Sequence, residues 1–102
     1  MTFRIAELTE IEDLRKLQEL FAAVWARSAE PAISSDVMKA LSHSGNYVSG
    51  AYVDDRLVGG LVGWFGGVPP HDLHLHSHIL GVVAGSDARG LGFELKQHQR
   101  RW

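Results

Sequence analysis

The chain has 102 residues, 45% hydrophobic and 22% charged, with a mean hydropathy near zero, the composition of one folded domain over residues 1–102 and not of a disordered or fibrous chain. A formal charge of −2 and a pI near 6.3 supply no basic footprint for a phosphate backbone, so no nucleic-acid partner is expected. The absence of cysteine excludes disulfides, thiolate metal sites and cysteine nucleophiles; no apolar run is long enough for a signal peptide or a membrane span, and the expectation is a cytoplasmic chain without a membrane partner.

Phe3, Ile5 and Leu8 mark a short first strand. Thr9 and Glu12 have the spacing of a capping box and open a helix to about Ala26, with Ile11, Leu14, Leu17, Phe21, Val24 and Trp25 along its core-facing stripe. Arg27 to Ala32, containing Pro31, ends it. Ser34 and Ser35 can cap a second, shorter helix carrying Val37, Met38, Ala40 and Leu41, stopped at Gly45-Asn46. Tyr47 to Val53 and Arg56 to Phe65 read as a hairpin across Asp54-Asp55. Apolar residues on both alternating faces of Leu57 to Phe65 predict cover on both sides of the sheet. Tyr47 and Tyr52 read as packing residues, and Trp25, Trp64 and Phe65 as core aromatics.

Gly66 to His71 is a loop. Leu73 to Val83 follows as a strand with a histidine at every second position near its start. Ala84 to Ala88 is turn chemistry, and Arg89 to Gly92 is expected to form the first turn of a last helix. In that helix Leu91, Leu95 and His98 share one face, while Lys96, Gln97, Gln99, Arg100 and Arg101 supply a solvated one. The predicted order is β-α-α-β-β-β-α, an α/β (α+β) domain. All eleven glycines lie between Gly45 and Gly92, as suits a β-rich second half with bends.

Two stretches carry candidate chemistry. The first backbone N–H groups of a helix lack internal partners, and Gly90 and Gly92 would let an anion approach them closely. Gly90-Leu91-Gly92-Phe93-Glu94-Leu95 does not match the dinucleotide fingerprint, and no Walker pattern occurs. His74, His76 and His78 project to one face of a strand. An imidazole there could accept a proton near neutral pH, the three together could ligate zinc or another transition metal, with His71 and Asp72 nearby, or each could be an ordinary strand histidine. Ser77 faces the opposite way, which argues against a Ser-His-Asp arrangement.

Val82-Val83-Ala84-Gly85-Ser86-Asp87-Ala88-Arg89-Gly90-Leu91-Gly92-Phe93 resembles the acyl-CoA-binding segment of the GCN5-related N-acetyltransferases, whose turn reads Gln/Arg-x-x-Gly-x-Gly/Ala after a hydrophobic strand. The flanking His76-Ser77-His78-Ile79-Leu80-Gly81-Val82, together with Leu95-Lys96 and Gln99-Arg100, is similar to a branch of predicted acetyltransferases. The resemblance implies that family's fold, a mixed, mainly antiparallel sheet flanked by helices, here ending before the fifth strand, so that the chain reads as a fragment. It also implies acetyl-CoA as cosubstrate and an amine as acceptor, with the two N-terminal helices over the acceptor entrance.

On the same basis the backbone of Leu80, Gly81, Val82 and Val83 would pair with the pantetheine amides. The N–H groups of Ala88, Arg89, Gly90, Leu91, Gly92 and Phe93 would hold the pyrophosphate. Asp87 departs from the family's Gln or Arg and brings a carboxylate toward that pyrophosphate, with basic Arg89 two residues on. The carboxylate base that some members carry on the fourth strand falls on or near His76, and His78 is the neighbouring candidate. Trp25, Trp64 and Phe65 could line an acceptor pocket. The general-acid tyrosine of many members belongs to a later helix. The alternatives are a histidine-liganded metal domain and a non-catalytic CoA-binding or interaction domain, and an uncovered edge of the fourth strand would favour a homodimer.

Overall fold

The computed structural model describes residues 4–24, 33–68, 70, 72–83 and 90–102. Its elements are β1 (Arg4–Glu7), α1 (Ile11–Val24), α2 (Ser35–His43), β2 (Tyr47–Val53), β3 (Arg56–Gly66), β4 (His74–Val82) and α3 (Leu91–Arg101). The strands form one antiparallel sheet in the order β1-β2-β3-β4. The expected order of elements is therefore the observed one.

Alternation along β2 and β3 divides the core into two layers. Val48 and Val62 point to one face and pack with Leu14, Leu17, Leu20 and Phe21 of α1 and Met38 of α2. Tyr47, Ala51 and Leu61 point to the other and pack with Leu91 and Leu95 of α3. Each large apolar side chain so buried contributes about 1.5–3 kcal/mol relative to exposure, and the two-sided cover explains why β3 is apolar on both faces.

Two glycines set how closely these layers approach. A Cβ on Gly60 would run into the Leu17 side chain of α1, and one on Gly59 would lie 3.2 Å from Leu91 Cδ2 and 3.1 Å from the Gly81 carbonyl. The sheet can thus hold a helix tightly on either face at adjacent positions of β3. Neighbouring strand residues face opposite sides, and the β2–β3 register shift between Ala51 and Tyr52, a β-bulge at Val58, places Val58 beside Gly59 on the α3 side. Asp54 and Asp55, with φ of 50° and 65°, turn the hairpin in the left-handed pair of conformations that matches strand twist.

Several local expectations change. Leu14 N–H bonds to the Glu10 carbonyl, so Glu10 caps α1 and Thr9 lies one residue outside; the Thr9 carbonyl instead accepts from Lys39 Nζ at 2.6 Å. Leu20 joins the buried stripe of α1 while Val24 is exposed. Ser34 does cap α2, its side chain accepting from Val37 N–H, but Val37 itself is exposed and Met38 fills the core position. Phe65, expected in the core, is 51% exposed and stacks on Trp102 at 5.7 Å between ring centroids. Phe3, Trp25 and the break at Arg27 to Ala32 lie outside the described residues.

Candidate functional site

The end of β4 and the start of α3 come together over β3. Leu91 and Leu95 are fully buried and press on the Cβ-less surface of Gly59, which fixes the first turn of α3 against the sheet. Gly92 rests over β4, where an added Cβ would sit 3.7 Å from Leu80 Cδ2. The helix begins at Leu91, two residues later than expected: Gly90 is its N-cap, with φ 83° and ψ −1° and no side-chain cap, and its carbonyl accepts from Glu94 N–H at 3.1 Å. The N–H groups without an intrahelical acceptor are therefore those of Leu91, Gly92 and Phe93. Among the described residues nothing lies within 4 Å of where a Gly90 Cβ would stand. Asp87, Ala88 and Arg89 lie outside the described residues.

Leu80 and Val82 face α3 and pack with Leu91 and Leu95, and Gly81 is buried between them. Val83 donates its N–H to the Val58 carbonyl at 2.9 Å. Among the described residues no strand lies beyond β4, so its outer backbone edge faces away from the sheet. An apolar recess of about 300 Å³, lined by Ala23, Val24, Val82 and Val83, separates the end of α1 from the end of β4.

The histidines sit at the other end of β4. The β3–β4 register shifts between Val62 and Gly63, pairing Val62 with Ile79 and Gly63 with Ser77, so His78 is an extra residue and a second bulge. His76 and His78 are both exposed and flank Trp64, at 5.3 Å and 4.4 Å between ring centroids. Their own rings are 6.0 Å apart. His74 lies beyond them, against Gly66. Among the described residues no three His, Asp or Glu side chains group in a way that could hold a metal ion, so the three-histidine ligand set has no geometric support. His71 lies outside the described residues. Ser77 does face the opposite layer, where its Oγ accepts from Lys96 Nζ at 2.6 Å.

On the α3 side the structure adds groups that sequence reasoning missed. Tyr47, fully buried, is hydrogen-bonded through its hydroxyl to His98 Nδ1 at 2.7 Å and meets Trp102 edge-on at 5.2 Å. Burial pushes the Tyr47 hydroxyl above its ordinary value of 10.0. Gln99, expected on the solvated face, is 8% exposed; its Nε2 lies 2.9 Å from where a Gly63 Cβ would be. The signal was the glycine: a strand position without a side chain leaves room for a long polar one from the helix above it.

No family model matches the sequence, and no curated protein matches it. Solved structures do. An aminoglycoside acetyltransferase from an uncultured soil metagenomic sample, in complex with sisomicin, superposes with a TM-score of 0.80 at 21% identity over 97% of this chain and 68% of that chain. Naa50 of Arabidopsis thaliana, in complex with the bisubstrate analogue CoA-Ac-MVNAL, gives 0.76 at 18% identity over 99% and 64%. A ribosomal-protein-alanine N-acetyltransferase from Brucella melitensis biovar Abortus 2308 gives 0.73 at 19% over 99% and 71%. The fold of the chain is that of these N-acetyltransferases, here in the order β-α-α-β-β-β-α.

Proposed function

We propose that the chain is the acyl-CoA-binding part of a GCN5-related N-acetyltransferase, which moves an acetyl group from acetyl-CoA to an amine. The observation that carries this reading is the junction of β4 and α3. A strand with no further strand beside it among the described residues along Leu80 to Val82 leads to a helix whose cap, Gly90, has no side chain and whose N–H groups at Leu91, Gly92 and Phe93 have no intrahelical acceptor, and it does so within a fold otherwise seen in acetyltransferases. An extended pantetheine arm needs backbone partners of the first kind, and a pyrophosphate needs donors of the second. In this reading Asp87, Ala88 and Arg89 complete the phosphate turn, with Arg89 offsetting the Asp87 carboxylate.

The chemistry asks little more of this part of the molecule. The acceptor nitrogen attacks the thioester carbonyl carbon, the carbon–sulfur bond breaks, CoA leaves as its thiolate and is protonated, and the ammonium proton passes to a base. His76 and His78 are the candidate bases, directly or through water; both are exposed beside Trp64.

Free-thiol release from acetyl-CoA, followed with aminoglycosides and with peptide N-termini as acceptors, tests the reading. Release is expected with at least one amine, and His76→Ala with His78→Ala should lower it about 10²-fold or more if a general base has been removed. A second reading, CoA binding without turnover, is favoured by the carboxylate at Asp87; it predicts saturable acetyl-CoA binding and no thiol release with any amine.

A further inference from the structure

A separate recess lies at the opposite end of α3. It has a volume of about 350 Å³ and is lined by Phe65, Leu75, Lys96, Gln99, Arg100 and Trp102. The eleven residues of α3 span about 16 Å at the usual rise, so this recess is well away from Gly90. Its walls are aromatic and apolar: Phe65 and Trp102 stack with an interplanar angle of 30°, both remain exposed over much of their surface, and Leu75 pairs with Phe65 across the β3–β4 ladder.

Its rim is cationic. Lys96 and Arg100 are four residues apart on α3, which sets two like charges on one helix face toward its C-terminus, where the helix dipole favours cations. Among the described residues the ion pair present is Arg4 with Asp55, and neither Lys96 nor Arg100 has a carboxylate partner. Lys96 is steered by donating to Ser77 Oγ on the β4 strand beneath α3. Flat apolar walls and two unneutralised cations at one edge are complementary to a ligand with a flat apolar body and one anionic end.

We propose that this recess binds a small aromatic carboxylate. Its ring would lie against Phe65, Leu75 and Trp102, and its carboxylate would take the Arg100 guanidinium with Lys96 beside it. A guanidinium presents two parallel donors to a carboxylate, and the volume matches the lower end of small-ligand sites, about 300 Å³ upward. The proposal does not depend on the acetyl-CoA reading.

The test is an amide NMR titration of the ¹⁵N-labelled chain with 1-naphthoate, beside the neutral 1-naphthalenemethanol. Saturable shifts are expected at Phe65, Leu75 and Lys96 to Trp102. Binding should be about tenfold weaker for the neutral analogue and for Arg100→Gln, the size of one charge-assisted hydrogen bond. Arg100 is exposed, so the variant should keep the native spectrum; Lys96→Met repeats the comparison at the second cation. Equal binding of the neutral analogue, unchanged affinity in both variants, shifts centred on Gly90 to Phe93, or no saturation by a folded chain would each overturn the proposal.

Discussion

Gly60, Gly90 and Gly92 look alike in the sequence and do different work. Gly60 is a packing residue, because its missing side chain is where Leu17 sits. Gly60→Ala should cost about 1–3 kcal/mol by overpacking, read from urea denaturation. Gly90 is a conformational residue: at φ 83° any side chain is strained, by about 1–2 kcal/mol, although among the described residues nothing lies within 4 Å of an added Cβ. Gly92→Ala meets only an ordinary van der Waals contact and should leave stability unchanged within about 0.5 kcal/mol. Equal losses at Gly60 and Gly92 would contradict this assignment.

Tyr47 supplies a pH prediction at the same scale. Burial holds its proton more tightly than in the unfolded chain. Its contribution is therefore fully present below the unfolded value, near 10, and is lost as pH rises through the higher folded one. Stability measured between pH 9 and 11 should fall, and Tyr47→Phe should flatten that fall. Part of the slope will survive in Tyr52, which burial and then Asp13 also push up, with Arg4 opposing. An unchanged slope in Tyr47→Phe would contradict the buried, neutral state of the hydroxyl.

At the scale of elements, the β2–β3 turn carries an avoidable strain. Asp54 and Asp55 both adopt positive φ, where glycine is favoured at the second position of such a turn. Asp55→Gly should stabilise the chain by about 1 kcal/mol, since its exposed contact with Arg4, at 3.9 Å, is weak. A loss of stability in thermal unfolding would show that the ion pair outweighs the strain.

All seven elements were legible from hydrophobic period and punctuation, but the side-chain phase along β3 and β4 was not. Strict alternation puts His76, His78 and Leu80 on one face. The bulge at His78 carries His76 and His78 toward Trp64 and sends Leu80 and Val82 to α3. A bulge inserts one residue without changing composition, so nothing in the hydrophobic pattern marks it. Gln99 differs for a similar reason: helical polarity indicates solvent, and only the contact with Gly63, on the far side of β4 in sequence, shows what leaves room for an amide there.

At the scale of the molecule, two helical layers clamp one sheet, and the face that α3 covers also carries both ends of the argument about function. The N-terminal end of α3 offers N–H groups without an intrahelical acceptor beside a strand that is last in the sheet among the described residues, while its C-terminal end offers aromatic walls and two cations. Among the described residues no helix is long and apolar enough to cross a membrane. The candidate site was legible as a motif, Gly90 and Gly92 after a hydrophobic strand, but the helix start at Leu91 and the left-handed cap needed coordinates, because sequence spacing fixes a helix boundary only to within a residue or two.

The most direct test of the central claim is calorimetric titration of acetyl-CoA into the purified chain and into Gly90→Glu, with circular dichroism to establish that both are folded. The account predicts saturable binding by the chain and its loss in the variant, where a side chain and a negative charge enter the space beside Leu91, Gly92 and Phe93. Equal binding by Gly90→Glu, or no binding by the folded chain, would contradict the assignment of the β4–α3 junction as an acyl-CoA site.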